Sequence, residues 1–318
     1  MIVTLTPNPS IDRTVALTST LTRGAVLRAK AFTSQAGGKG VNISRAAVAA
    51  GVPTIAVLPA VKDDPFVLEL LSGGIDCRPE QPTGPVRVNI TITEPDGTTT
   101  KINSPGATAT ADSLERLAAA LQHRAQHASW VVLAGSLPPG APADWYATLV
   151  QSLRRTTAKV SVDTSGEPLT ALAARLGEAA PDLMKPNGEE LASLTDADAD
   201  AIEADPVAAA EAAGVLVERG VGAVLATLGG TGAVLVTADG AWHATPPPTT
   251  VVSTVGAGDS SLFGYLLGDL GGAEPAERLR LAVAYGSAAA GLPGTTIPTP
   301  DHIRGELVDV RELTRTAR

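Results

Sequence analysis

Between residues 249 and 270 the chain passes through Ser253-Thr254-Val255-Gly256-Ala257-Gly258-Asp259-Ser260, a polar loop holding two glycines and a carboxylate. The β-branched run Thr249-Thr250-Val251-Val252 before it reads as a strand end. Leu262-Phe263-Gly264-Tyr265-Leu266-Leu267 after it has the length and spacing of a buried helix. Gly256, Ala257, Gly258 and Asp259 therefore fall at a helix N-terminus, where unpaired N–H groups and the positive end of the dipole attract anions. Two readings of Asp259 stand side by side. It can be an ordinary first-turn cap. It can also be a base, taking the proton of an attacking hydroxyl while Gly256 and Gly258 admit a phosphate to the backbone.

Other strand-end loops carry residues of similar promise. Asn8 and Asp12 follow the first strand, as a turn and cap or as ligand groups. Gly37-Gly38-Lys39-Gly40 with Asn42 is glycine-dense at a helix start and brings one cation, which suits tight helix–strand packing or a ligand loop. Ala134-Gly135-Ser136-Leu137-Pro138 has the composition of a plain turn. In Lys185-Pro186-Asn187-Gly188-Glu189-Glu190, Asn187 and Glu190 stand one helical turn apart. That spacing serves a capping box, and equally a pair orienting the waters of a hydrated Mg²⁺. Thr227-Leu228-Gly229-Gly230-Thr231-Gly232 is a glycine turn after a strand, able to bring backbone against a nucleotide.

These loops need elements to hold them. Strands are expected at 1–6, 54–58, 130–133, 159–162, 181–184 and 223–227, and helices at 65–71, 111–126, 144–154, 167–175 and 206–219, with one opened by Ala36-to-Asn42 and running to Ala50 and another from 189. Strand–helix alternation of this kind predicts an α/β fold: a mostly parallel central sheet between helices, with ligands beyond the carboxyl ends of its strands. Residues 233–244 form a β excursion, 195–205 a solvated acidic connection, and 275–290 and 301–313 the last helices. The β-like segments 12–34 and 86–103 break the alternation, the second with an Asp96-Gly97 hairpin turn. They predict a small second sheet, a lid, within one domain spanning 1–318.

Bulk properties narrow the function. The chain of 318 residues is 44% hydrophobic but 3% aromatic, so its core must be built from Ala, Val, Leu and Ile. A net charge of −9 argues against nucleic-acid binding and requires that any anionic ligand meet a local cluster of Lys and Arg. The single Cys77 precludes an internal disulfide and reads as a core residue. His123 and His127 share a helix face, but with no third ligand nearby they read as solvent-facing. No signal peptide or apolar run of about 18 residues is evident, so no membrane contact and a cytoplasmic location are expected. Neither G-x-x-x-x-G-K-[ST], G-x-G-x-x-G after a strand, G-x-S-x-G nor H-E-x-x-H occurs.

Taken in order, Thr6-Pro7-Asn8-Pro9-Ser10-Ile11-Asp12, the Gly37-to-Asn42 loop, Gly135-Ser136-Leu137-Pro138, Lys185-Pro186-Asn187 with Glu190, and the Ser253-to-Ser260 loop resemble the ribokinase-like (PfkB) sugar kinases. Their spacing looks most like the subgroup containing bacterial 1-phosphofructokinases and tagatose-6-phosphate kinases. The resemblance implies MgATP as donor, a β lid over the sugar and often a lid-mediated homodimer. It implies Asp259 as catalytic base, with Gly256, Ala257 and Gly258 as anion hole. It places Asn187 and Glu190 on Mg²⁺ through water, Lys185 and Gly229 (with Thr227 and Gly232 in the same turn) on the nucleotide side, and Asp12, Gly38, Lys39, Asn42 and Arg87 on the sugar side. Ala60 and Phe263 depart from the family, which usually has a glycine and a small residue there. The expected reaction is phosphorylation of a ketohexose phosphate, fructose 1-phosphate before tagatose 6-phosphate or fructose 6-phosphate. A non-catalytic sugar or nucleotide sensor on the same fold, and a kinase for a neutral sugar or nucleoside, are the rivals.

Overall fold

The computed structural model describes residues 1–314. The chain opens with β1 (Ile2–Leu5), β2 (Ser10–Leu17), β3 (Ala29–Gly37), α1 (Lys39–Ala49), β4 (Thr54–Pro59), α2 (Pro65–Ser72) and β5 (Asp76–Glu80). It continues with β6 (Arg87–Thr93), β7 (Thr99–Ile102), α3 (Ala111–Ala125), β8 (Trp130–Ala134), α4 (Trp145–Leu153), β9 (Lys159–Asp163), α5 (Glu167–Ala174), α6 (Leu176–Ala179) and β10 (Leu183–Met184). It ends with α7 (Gly188–Thr195), α8 (Ala199–Ala204), α9 (Pro206–Glu218), β11 (Ala223–Thr227), β12 (Ala233–Thr237), β13 (Ala241–Thr245), α10 (Ala257–Leu270), α11 (Pro275–Ala290) and β14 (Asp309–Leu313). Several helix starts are written locally: Pro65, Pro206 and Pro275 open helices where a missing N–H costs nothing, and Asp64 and Asp205 cap the first two.

A 10-stranded sheet runs β14-β13-β12-β11-β10-β9-β8-β1-β4-β5. From β11 to β5 its neighbours are parallel, and β12, β13 and β14 add antiparallel pairs at one edge. The parallel strands are short and buried on both faces, as β1 and β8 show with every residue buried. One apolar layer joins the sheet to α3, α4, α5 and α9, and the other joins it to α1, α10 and α11. The chain winds outward from β1 first through β4 and β5 and then, from β8, the other way. The order reverses at β1/β8, so the loops at their carboxyl ends diverge and leave a crevice.

Glycines let the helices approach. A Cβ on Gly40 would lie 2.4 Å from Thr6 Oγ1, so α1 packs tightly on the end of β1. A Cβ on Gly264 would lie 2.4 Å from the Leu281 carbonyl, which fixes the α10–α11 contact. Phe263 points instead into the core, edge-on to Tyr285 at 5.2 Å between ring centroids, and Ala60 is buried beside Phe66. Both departures from the family pattern are thus absorbed by apolar packing.

A separate 4-stranded sheet, β3-β2-β6-β7, stands over the crevice. Its side chains alternate with period two. Asp12, Thr14, Thr33, Gln35, Asn89 and Thr91 face the cleft, while Ile11, Val15, Phe32, Ile90, Ile92 and Ile102 fall on the other face.

Three expectations are corrected. Residues 249–252 form no strand: Pro246-Pro247-Pro248 supply no N–H groups, and Val252 and Ser253 donate to the Ala290 carbonyl instead. Residues 195–205 are not merely a solvated connection, because they contain α8, anchored by buried Ile202. Residues 301–313 are not a helix but two 3₁₀ turns and β14, which pairs with the otherwise open edge of β13. Strand β5 is an addition at the opposite edge, paired with β4 and carrying Cys77 inward. Burial pushes the Cys77 thiol up to about 11, in keeping with an inert core residue. His123 and His127 are exposed.

Candidate active site

The crevice is an open cleft of about 1650 Å³, bounded by the carboxyl ends of the parallel strands, the N-terminus of α10 and the polar face of the small sheet. All the residues singled out above as sugar-side, nucleotide-side, metal-side or catalytic line this one cleft, from Asp12 on the small sheet to Gly232 beyond β11.

At its floor, Gly256 precedes α10 with φ +79°, a conformation that favours glycine, and turns the chain into the helix. The first-turn N–H groups of Gly258 and Asp259 have no acceptor within the helix. A Cβ on Gly258 would come within 3.3 Å of Lys185 Nζ, so this backbone and that ammonium share a confined space. Asp259 makes no cap: α10 has no side-chain cap hydrogen bond. Its Oδ2 accepts instead from Asn42 Nδ2 at 2.8 Å, across from α1. Only 7% exposed, the carboxyl is pushed up to about 6 by burial and by the charge of Asp163, against the opposing pull of Lys39, Asn42 and Lys185. It remains mostly ionised at pH 7 and is a stronger base than a solvated Asp. Asn42 Oδ1 is buried without a protein partner among the described residues, an acceptor left over for a ligand.

Asp163, the last residue of β9, is the residue that sequence reasoning missed. It is fully buried, with Oδ1 2.6 Å from Lys39 Nζ and Oδ2 3.5 Å from Lys185 Nζ. Burial opposes its ionisation, yet the Lys185 and Lys39 charges outweigh this and hold its carboxyl below the usual range. Burial would likewise lower the Lys39 ammonium, but Asp163 and Asp259 over-compensate and raise it. Lys39 is thus tied to the floor of the cleft through Asp163, not standing free over it. The available signal was a carboxylate closing a buried strand and followed by Thr164-Ser165-Gly166, at the end of the sheet where ligands collect.

On the small sheet, Asp12 accepts from Ser10 Oγ (2.8 Å) and Asn89 Nδ2 (3.1 Å). A Cβ on Gly37 would sit 2.1 Å from its Oδ2, so the glycine loop doubles as a seat for this carboxylate. Gly38, at φ +124°, turns β3 into α1 against Thr6. Arg87 donates from Nη1 to the Ser104 carbonyl at 2.9 Å, and Nη2 lies 3.5 Å from Ser136 Oγ. Its Nε is buried without a partner among the described residues. Asn8 is chiefly a staple, donating to the Pro105 carbonyl at 3.0 Å beneath Gly106.

On the opposite wall, Asn187 and Glu190 form the capping box: Glu190 N donates to Asn187 Oδ1 (2.7 Å) and Asn187 N to Glu190 Oε2 (2.9 Å). Asn187 also bridges to Thr227, which brings the starts of α7 and the glycine turn together. In that turn Gly229 has φ +54°, and a Cβ on Gly232 would strike the Ala244 carbonyl at 2.0 Å.

The family model for pfkB family carbohydrate kinases matches residues 6–302. The chain belongs to that family. This pfkB chain is 37% identical over 307 residues to the 1-phosphofructokinase of Rhodobacter capsulatus, covering 95% of itself and 94% of that relative. It is 33% identical to the 1-phosphofructokinase of Escherichia coli K12, covering 91% and 90%. Among solved structures it resembles phosphofructokinase-2 from Escherichia coli in complex with substrates and products, at TM-score 0.85 and 30% identity over 95% of this chain and 96% of that one. It shares its fold with Arabidopsis thaliana ribokinase, at TM-score 0.72 and 21% identity over 95% and 96%. The ribokinase-like α/β architecture with a second, smaller sheet is therefore the fold of this pfkB kinase. No helix of the described residues is long and apolar enough to cross a membrane.

Proposed function

We propose that this pfkB kinase transfers the terminal phosphoryl of ATP to a ketohexose phosphate, converting fructose 1-phosphate to fructose 1,6-bisphosphate. The observation that carries the chemistry is Asp259: buried, not used as a cap, and held by Asn42 beside the open N-terminus of α10. A sensor has no need of such a base, which weighs against the non-catalytic reading. Asp259 accepts the proton of the sugar hydroxyl as that oxygen attacks. The Gly256-Ala257-Gly258 backbone and the α10 dipole stabilise charge on the transferring group, with Lys185 alongside. The small sheet acts as the lid, excluding water as a competing acceptor.

The donor set fits a nucleoside triphosphate with Mg²⁺. Phosphates find the α10 N–H groups and Lys185, and the glycine turn at 229–232 leaves Gly229 and Gly230 open for close approach. Among the described residues no cluster of three or more His, Cys, Asp or Glu encloses a metal, which suits an ion held mainly by phosphates and water. When bound, MgATP supplies the phosphoryl group and neutralises its charge. In this reading Asn187 and Glu190 would orient metal-bound water, with Glu190 Oε2 occupied by the capping box and Oε1 left for that role. Glu190→Gln should therefore raise the Mg²⁺ concentration at half-maximal rate. A lowered melting temperature with unchanged Mg²⁺ dependence would assign the pair to capping alone.

For the sugar, the named 1-phosphofructokinase relatives and the part-free guanidinium of Arg87 both support a phosphorylated substrate. The likeness to phosphofructokinase-2 keeps fructose 6-phosphate as the second reading. A panel of fructose 1-phosphate, fructose 6-phosphate, tagatose 6-phosphate and fructose, assayed by ADP release, separates these. Charge-assisted hydrogen bonds contribute roughly 1.5–3 kcal/mol, so Arg87→Ala should cut kcat/KM for the phosphosugar by about 10–150-fold while sparing ATP affinity. Equal losses on the phosphorylated and neutral sugar would remove Arg87 from phosphate recognition.

The outer face of the small sheet, with Phe32 59% and Ile102 53% exposed, supports a homodimer through the lid. Phe32→Glu should then halve the mass in sedimentation equilibrium. A dimer surviving that change, or a wild-type monomer, would place the interface elsewhere or nowhere.

A further inference from the structure

One buried titratable side chain in the large sheet has no part in the chemistry above. His243, in β13 and 4% exposed, has Nε2 2.9 Å from the Thr231 carbonyl oxygen. A carbonyl only accepts, so Nε2 carries a hydrogen in this contact, while Nδ1 is buried without a partner among the described residues. Thr231 ends the 3₁₀ turn Gly229–Thr231 on the wall of the cleft. The turn's backbone bonds are local: Leu228 N to the Gly232 carbonyl (2.8 Å), Thr231 N to Leu228 (3.0 Å) and Gly232 N to Gly229 (3.3 Å). Its three glycines make it costly to order, and Gly229 and Gly230 are exposed. The imidazole links this turn to the rigid sheet behind it.

We propose that His243 is a positioning residue for the nucleotide, fixing the 229–232 turn in its ligand-receiving shape before the nucleoside triphosphate arrives. The inference rests on the kinase reading, in which this turn meets ATP. Order already present in the free protein is not charged against binding, so the histidine strengthens affinity without touching the ligand. A single neutral hydrogen bond sets the scale at about 2–12-fold in Kd.

The test compares His243→Leu, which keeps bulk but loses the donor, with His243→Gln, which keeps an N–H at similar reach. MgATP binding is titrated calorimetrically, and KM is measured for ATP and for fructose 1-phosphate. Expected is a rise of about 2–12-fold in Kd and KM for ATP in the Leu variant, with recovery in the Gln variant. The sugar KM and the kcat at saturating ATP should stay unchanged. Unaltered ATP affinity in His243→Leu, or parallel rises in both KM values, would overturn the proposal. Should the Leu variant fold poorly, nitrogen NMR of the wild-type chain decides: with 4 histidines to assign, the Nε2–H tautomer supports the link and an Nδ1–H tautomer refutes it. A wild-type chain that binds no ATP would sink the kinase reading itself, whereas an indifferent Leu variant beside a binding wild type sinks only the role of His243.

Discussion

Asp259→Asn is expected to lower turnover by roughly 10²–10⁴-fold with little change in ATP affinity, the range typical of losing a positioned base. The amide has the size of the carboxyl and keeps an oxygen for Asn42 Nδ2, so the site's shape should survive. Because the wild-type carboxyl must be ionised and is pushed up to about 6, its kcat/KM should fall below about pH 6. The same shift makes a stability prediction of unusual sign. The folded-state value lies above that of an unfolded Asp, so the folded chain binds the proton more tightly. The cost of burying the charge is then fully present above about pH 6 and disappears as pH falls towards the unfolded value. Asp259→Asn should therefore be more stable than wild type at pH 8, by an amount on the order of 1–3 kcal/mol, and nearly equal to it near pH 4. Retention of more than about a third of wild-type turnover would remove Asp259 as the base.

Much of this site was legible because glycine, Asp and Asn in strand-end loops restrict what the backbone can be doing there. The Gly256-to-Asp259 turn, the Gly37-to-Asn42 turn and the alternating lid strand around Asn89 are local signals, and the parallel sheet gathers them at one end. What escaped depends on partners distant in sequence. The 301–313 segment carries a helix-like start at Thr299-Pro300-Asp301, but the unpaired edge of β13 offers β14 a complete ladder, and pairing prevailed over local propensity. The β-branched residues 249–252 had propensity for a strand and no edge to join. Asn187 and Glu190 fit two readings from spacing alone, and the structure shows the capping box. Asp163 drew no reading from the sequence because its two lysines are remote from it, Lys39 lying 124 residues before it and Lys185 just beyond the neighbouring strand β10.

Asp163→Asn is expected to reverse the stability pattern of Asp259→Asn, and the contrast tests the electrostatic arrangement as a whole. Lys185 is 5% exposed, and losing its counter-charge strands a buried ammonium, a change that costs about 3–5 kcal/mol in comparable sites. Lys39 adds less, since its side chain is 35% exposed and can turn towards water. The Asp163 carboxyl is held below its ordinary value, so its contribution is present above the unfolded value and is lost as pH falls through the folded one. The variant should melt well below wild type at pH 8, and the gap should narrow in acid. Its effect on the base runs through the same charges. Removing Asp163 takes away a like charge that raises Asp259 and frees two ammonium groups that lower it, so residual activity should persist to lower pH than in wild type. A variant that melts like wild type at pH 8 and keeps the wild-type acid limb would mean that Asp163 neither pairs the lysines nor tunes the base. A large fall in melting temperature with an unmoved limb would confine it to stability.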